Sequence, residues 1–313
     1  MLSLGLIQTC NEMLTANSKE INSVFRLWRH LPVMIRAILT GSLAAAAGTV
    51  PWAILVSANT RYWSNVPWAV LPTALYLWLY WRYVRGEGWP KSTAQFRRTS
   101  CRANHLPGDV WGAALLAGVL GLVSIVLLQG VMIRLVTLPQ QEHPDLSQFP
   151  FVTVLLWILM SAIVAGVAEE TSFRGYMQKP IERRHGPVIA ILVTGSLFGF
   201  AHFSHPEVTL ILLPYYLAVA AVYGALAYFT NSIFPSMVLH AGGNVLGSMD
   251  LFARGRSEWQ ASSTASPLIW ETGPDKEFWL SVVALVIVGT ITVWAYAVLR
   301  KAARTVNESA KSI

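Results

Sequence analysis

Two adjacent carboxylates, Glu169 and Glu170, follow a run of uncharged residues from Phe151 to Ala168, and Arg174 stands four positions after the second. A carboxylate taken from water into apolar surroundings is costly unless it is paired or put to use. On a helix, Glu170 and Arg174 share a face, with the acid N-terminal to the base, the favourable order for an ion pair. Glu169 is turned about 100° away from that pair. The two acids therefore have different expected jobs: Arg174 neutralises and orients Glu170, while Glu169 stays unpaired, desolvated and beside a second carboxylate. Such surroundings suit a general base.

Other strongly polar residues within apolar stretches are His202, His240 and Asn244. Phe198 and His202 lie four apart, as do His240 and Asn244, so each pair shares a helix face. The turn between two apolar runs centres near His185, and Glu169 and His202 lie almost equally far from it, 16 residues before and 17 after. At about 1.5 Å per residue both sit up to roughly 25 Å from that turn, in one layer. His240 and Asn244, roughly 13 and 19 Å into their own segment, can share that layer. A carboxylate and a histidine together can take a proton from water, and two further donors can stabilise an oxyanion. Glu169 with His202 as base, and His240 with Asn244 as oxyanion hole, form a hydrolytic set that needs no serine or cysteine nucleophile. Thr171 and Ser172 have no evident base beside them.

The elements that must hold these groups are membrane helices. The chain has 313 residues, 54% hydrophobic and 12% charged, with a mean hydropathy of +0.48, against about 25% charge in a soluble domain. Eight stretches are long and apolar enough to be expected spans: Val33 to Ala58, Val66 to Val84, Val110 to Val136, Phe151 to Phe173, Val188 to Phe203, Leu210 to Phe229, Ile233 to Phe252 and Phe278 to Leu299. Runs this long and apolar are helical in lipid. The expected fold is all-α, a polytopic membrane helix bundle of about eight transmembrane helices. It reads as a single domain from residue 31 to 300, with residues 1–30 a cytoplasmic lead-in, 301–313 a cytoplasmic tail, and the working core at about 151–252.

The net charge of +7 marks topology rather than a nucleic-acid partner. With both termini inside, 17 of the 23 Lys and Arg fall in or beside cytoplasmic segments, as the positive-inside rule requires. The expected location is an integral, multi-pass protein of a prokaryotic plasma membrane. Cys10 and Cys101 both map to the cytoplasmic side and are expected to be free thiols. "LGLIQTC" lacks the basic leader and long apolar core of a lipoprotein signal. The stretch from Ala253 to Glu277 is expected to form a cap or lid.

Three short motifs, "EETSFR" (Glu169 to Arg174), "FGFAH" (Phe198 to His202) and "HAGGN" (His240 to Asn244), resemble the E-E-x-x-x-R, F-x-x-x-H and H-x-x-x-N motifs of the CAAX protease and bacteriocin-processing family of intramembrane proteases, which includes the type II CAAX prenyl endopeptidases. The order is the family's, and each motif falls on an expected span. The resemblance covers roughly Phe151 to Phe252. It implies a glutamate-dependent endopeptidase with no metal or other cofactor, in which Glu169 and His202 activate water, His240 and Asn244 hold the oxyanion, and Glu170, Arg174 and Phe198 support the site. The implied partners are a peptide or protein substrate, lipid-modified in some members of the family, and the surrounding membrane lipid. Against this stand non-proteolytic readings of the same polar cluster: a metal-binding redox protein, a transporter, or a peptide immunity or binding factor. The single Glu-x-x-His spacing, Glu182 to His185, lies outside the polar cluster, no His-Glu-x-x-His spacing is present, and no inverted repeat is visible, which weighs against the metal and transporter readings.

Overall fold

Prolines mark where several helices begin. Pro32, Pro107 and Pro150 each cap the N-terminal end of a helix, and Pro187 occupies the first turn of another. A proline there loses no hydrogen bond, because the first N–H groups of a helix have no partner in it anyway. The structure is a computed structural model and describes residues 28, 30–136, 146–202, 210–254 and 267–309. The expected lead-in therefore lies largely outside the described residues, as do Cys10 and the middle of the expected lid.

The helices are α1 (Val33–Arg61), α2 (Val70–Val84), α3 (Ala94–Cys101), α4 (Gly108–Met132), α5 (Phe151–Glu169), α6 (Gln178–His185), α7 (Pro187–Ala201), α8 (Leu213–Thr230), α9 (Phe234–Arg254), α10 (Ile269–Thr272) and α11 (Lys276–Ser309). Among the described residues there is no strand. Each of the eight expected spans is occupied by a helix. Five helical segments are long and apolar enough to cross a membrane: Val33–Arg61, Gly108–Met132, Phe151–His185, Leu210–Thr230 and Lys276–Thr305. The other three differ for physical reasons. α2 and α7 are apolar but only 15 residues long, whereas α9, with 21 residues, carries His240 and Asn244. The protein is a multi-pass membrane helix bundle.

Its outer surface is apolar, with Leu43 69% and Val126 64% exposed, side chains that lipid solvates as readily as a protein core does. Polar side chains tie the helices together from within. The Trp52 indole N–H donates to Ser161 Oγ at 2.9 Å, and Asn59 Oδ1 accepts from the Trp157 indole at 3.1 Å and from the Ala69 amide at 3.2 Å. α4 lies between α11 and α8, α8 also packs on α7, and α5 is flanked by α1 and α9.

Between α5 and α6 the chain does not keep α-helical register. Glu170–Met177 forms a π-helix, in which hydrogen bonds run from residue i to i+5 and one turn is widened; such insertions are rare and concentrate at functional sites. All eight of its residues are buried. α1 lies along it, and at Gly175 an added Cβ would stand 3.0 Å from the carbonyl oxygen of Ser100 and 3.3 Å from that of Cys101. The wide turn is thus pressed against backbone of α3 that has no flexible side chain to give way.

At the same end of the bundle, Arg102 is buried to 2% exposure and reaches three elements. It donates to Glu182 Oε1 at 2.7 Å on α6, to the Arg174 carbonyl oxygen at 3.3 Å in the π-helix, and to Asn231 Oδ1 at 3.3 Å in the turn before α9. Near the opposite end, Arg134 docks the end of the expected lid. It donates to the Pro267 carbonyl at 2.9 Å and to both oxygens of Asp275, at 2.8 and 3.3 Å. That guanidinium holds the Asp275 carboxyl below its ordinary value.

Candidate active site

The end of α5, the start of the π-helix, the end of α7 and the middle of α9 hold the polar residues of the three motifs. α5 and α9 can approach because of Gly166. A Cβ there would sit 2.9 Å from the Met237 carbonyl oxygen and 3.1 Å from the Ala241 Cβ, so any larger residue must push α9 away.

That approach brings His240 against both glutamates. Its Nδ1 lies 2.8 Å from Oε1 of Glu170, and its Nε2 lies 3.7 Å from Oε2 of Glu169. An ionised carboxylate only accepts hydrogen bonds, so against ionised Glu170 the Nδ1 atom is the donor. The three side chains differ in access: Glu170 is fully buried, His240 is 7% exposed and Glu169 is 21% exposed. Oε2 of Glu169 is a buried oxygen with no hydrogen-bond partner among the described residues. The Tyr223 ring stacks on the imidazole at 5.2 Å with 11° between the planes, which fixes the ring's plane as Glu170 fixes its rotation.

Arg174 lies beside Glu170, as the i,i+4 spacing predicts. Its Nε lies 3.5 Å from Glu170 Oε2, an ion pair, but none of its three nitrogens makes a hydrogen bond among the described residues. The guanidinium, wholly buried, instead lies among aromatic rings, 5.1 Å from the Phe198 centroid, 5.5 Å from Tyr223 and 6.0 Å from Phe173. Attraction between a desolvated cation and ring faces supplies part of what hydrogen bonds otherwise would. The i,i+4 reasoning found the pair but assumed an α-helix. In the π-helix the wider turn changes that register, and the tight partner of Glu170 is His240, from another helix.

His202 closes α7. Its Nδ1 lies 2.7 Å from the Phe198 carbonyl oxygen, one turn earlier, which makes Nδ1 the donor and, in the neutral ring, Nε2 an acceptor. Phe198 is the wall common to both histidines, with its centroid 4.6 Å from the His202 ring and 6.2 Å from the His240 ring. The Tyr216 ring lies 5.0 Å from His202 and 6.0 Å from Phe198, so the three rings touch one another. Asn244 sits half-buried on α9, one turn after His240. Ser172 is fully buried and donates to the Ala168 carbonyl at 2.6 Å, so its oxygen is committed to its own helix. His205 lies outside the described residues. The aromatic enclosure by Tyr216 and Tyr223 is the part that spacing did not reveal, since both belong to α8, which carries none of the three motifs. Among the described residues, no group of three or more His, Cys, Asp and Glu is arranged to hold a metal ion.

A membrane helix bundle with two carboxylates and an imidazole buried together is the class of protein this geometry defines. Residues 151–246 match the family model described as "Type II CAAX prenyl endopeptidase Rce1-like", and that segment contains Glu169, Glu170, Arg174, Phe198, His202, His240 and Asn244. The resemblance to the CAAX protease and bacteriocin-processing family is shown over this segment. No curated protein and no solved structure matches the chain.

Proposed function

We propose that the protein is an intramembrane endopeptidase that hydrolyses a peptide bond in a membrane-embedded or lipid-anchored peptide or protein. The observation that carries this reading is the His240 imidazole set between Glu170 and Glu169, within the segment that matches the endopeptidase family. In the proposed reaction Glu169, with His202, takes a proton from water, and the hydroxide attacks the carbonyl carbon of the scissile bond. His240 and Asn244 donate to the oxygen that becomes negative. The tetrahedral intermediate then collapses, the C–N bond breaks, and the amine leaves with the proton first taken from water.

The polar contacts support this division of labour. Phe198 holds the His202 tautomer whose Nε2 can accept a proton. Glu170 occupies Nδ1 of His240, so donation from Nε2 to an oxyanion requires the doubly protonated ring. Glu170, Arg174 and Phe198 then act as support, holding His240 and the π-helix in place. The proposed setting is a prokaryotic plasma membrane with both termini inside.

The test compares wild type with Glu169→Ala, His202→Ala and Ser172→Ala in vesicles, using a peptide library read by mass spectrometry. Cleavage is expected for wild type and Ser172→Ala and lost in the other two. Undiminished cleavage by Glu169→Ala contradicts the mechanism, and loss on chelation with recovery on metal addition favours a metal enzyme.

A further inference from the structure

Two adjoining cavities open at the end of the bundle where α1, α3 and α6 meet, away from the glutamates. One, of about 330 Å³, is lined by Lys179, Arg183 and Arg184 among others. The other, of about 430 Å³, is lined by Arg36, Arg184 and His185. Val33 and Arg184 belong to both. Among the described residues that line them, none is acidic. The nearest acid in the sequence, Glu182, is engaged by Arg102 at 2.7 Å.

The cations are not placed as a solvated surface would place them. Lys179 is only 8% exposed, and among the described residues it makes no hydrogen bond or ion pair. Nε of Arg36 is likewise buried with no hydrogen-bond partner among them. Burying an ammonium beside an open cavity whose lining carries no acid is unfavourable unless an anion completes the site. Apolar surface continues from this point: Ile35, Leu39 and Leu43, spaced four apart on one side of α1, are 43%, 43% and 69% exposed, and the strip starts one residue from Arg36.

We infer that these cavities bind the phosphate headgroup of an anionic phospholipid, with Lys179, Arg36 and Arg184 as its ligands and the Ile35–Leu39–Leu43 strip as the track for an acyl chain. The inference does not rest on the proteolytic reading and is measured without cleavage.

Full-length protein in detergent is titrated with phosphatidylglycerol, phosphatidylcholine and inorganic phosphate, and bound molecules are counted by native mass spectrometry. Phosphatidylglycerol is expected to bind in preference to phosphatidylcholine. Arg184→Gln and Lys179→Gln should each weaken it about fivefold, the usual effect of one cation at an anionic lipid surface. Lys179→Arg should restore it. Arg61→Gln, exposed at the far end of α1, should leave it unchanged. Equal binding of the two lipids overturns the inference, as does equal weakening by Arg61→Gln. Displacement of the lipid by equimolar inorganic phosphate would show a free-phosphate site and overturn the lipid assignment. Arg184 is exposed and its replacement spares the core, so undiminished binding by Arg184→Gln is decisive even if Lys179→Gln fails to fold.

Discussion

Nδ1 of His240 and Oε1 of Glu170 lie 2.8 Å apart, joining α9 to the π-helix across the interior of the bundle. Glu170 therefore carries two structural duties, toward His240 and toward Arg174, whereas Glu169 carries neither to the same degree. Glu170→Gln leaves Arg174 as a wholly buried charge without its ion-pair partner. That change is expected to cost about 3–5 kcal/mol, as breaking one side of a buried pair does. Glu169→Gln should leave thermal unfolding unchanged in detergent while lowering peptide cleavage by about 10²–10⁴-fold, the range for loss of a general base. Equal losses of stability in the two variants would contradict this separation of roles.

Gly166→Ala tests the approach of α5 to α9. The added methyl meets the Met237 carbonyl, which belongs to backbone and cannot rotate aside. Overpacking of this kind costs about 1–3 kcal/mol, so the variant is expected to fold. Cleavage should fall at least tenfold, because a shift on the ångström scale in catalytic geometry costs up to about 10²-fold. Gly166→Ala activity equal to wild type would show that the spacing of His240 from the glutamates is not critical.

Arg102→Met is expected to destabilise the protein by about 3–5 kcal/mol, since Glu182, 11% exposed, loses the partner that compensates its burial. The double variant Arg102→Met/Glu182→Leu should recover much of that loss, because replacing a whole buried pair by apolar groups is often neutral. Thermal unfolding of the four species in a double-mutant cycle checks this. Purely additive losses would mean that the two side chains do not act as a pair.

Cys101 gives a pH test. Burial pushes its thiol from an ordinary value of 9.0 up to about 12. The folded chain thus holds a proton that the unfolded chain releases above pH 9, so this residue's contribution to stability is complete below pH 9 and declines as pH rises toward about 12. In a Cys10→Ser background, maleimide labelling at pH 7.5 should be slow for folded protein and fast after denaturation. Rapid labelling of folded protein would place Cys101 at the surface.

The spans were legible because lipid demands long apolar runs, and α1, α4, α5, α8 and α11 satisfy that demand by composition. The motif residues were legible because an ionisable group in such a run has few structural reasons to be there. The π-helix was not legible. Nothing in "ETSFRGYM" marks a widened turn, whose neighbours α1 and the Ser100–Cys101 backbone come from distant sequence. The His240–Glu170 bond was hidden for a related reason: equal depth can be counted from a turn, but which side chains face each other depends on how helices rotate in the bundle. The aromatic surroundings of Arg174 belong to the same category, with Tyr223 supplied by α8.

The short length of α7 has a consequence for the lipid around it. Fifteen residues rise roughly 22 Å, while the hydrocarbon of an ordinary bilayer is about 30 Å deep. A helix shorter than the hydrocarbon is met by local thinning of the bilayer or by flanking groups that reach the interface, and α7 is capped at its C-terminal end by His202. A short α7 thus shortens the apolar path between the interface and His202, and the proposed reaction there consumes one water for each bond it breaks.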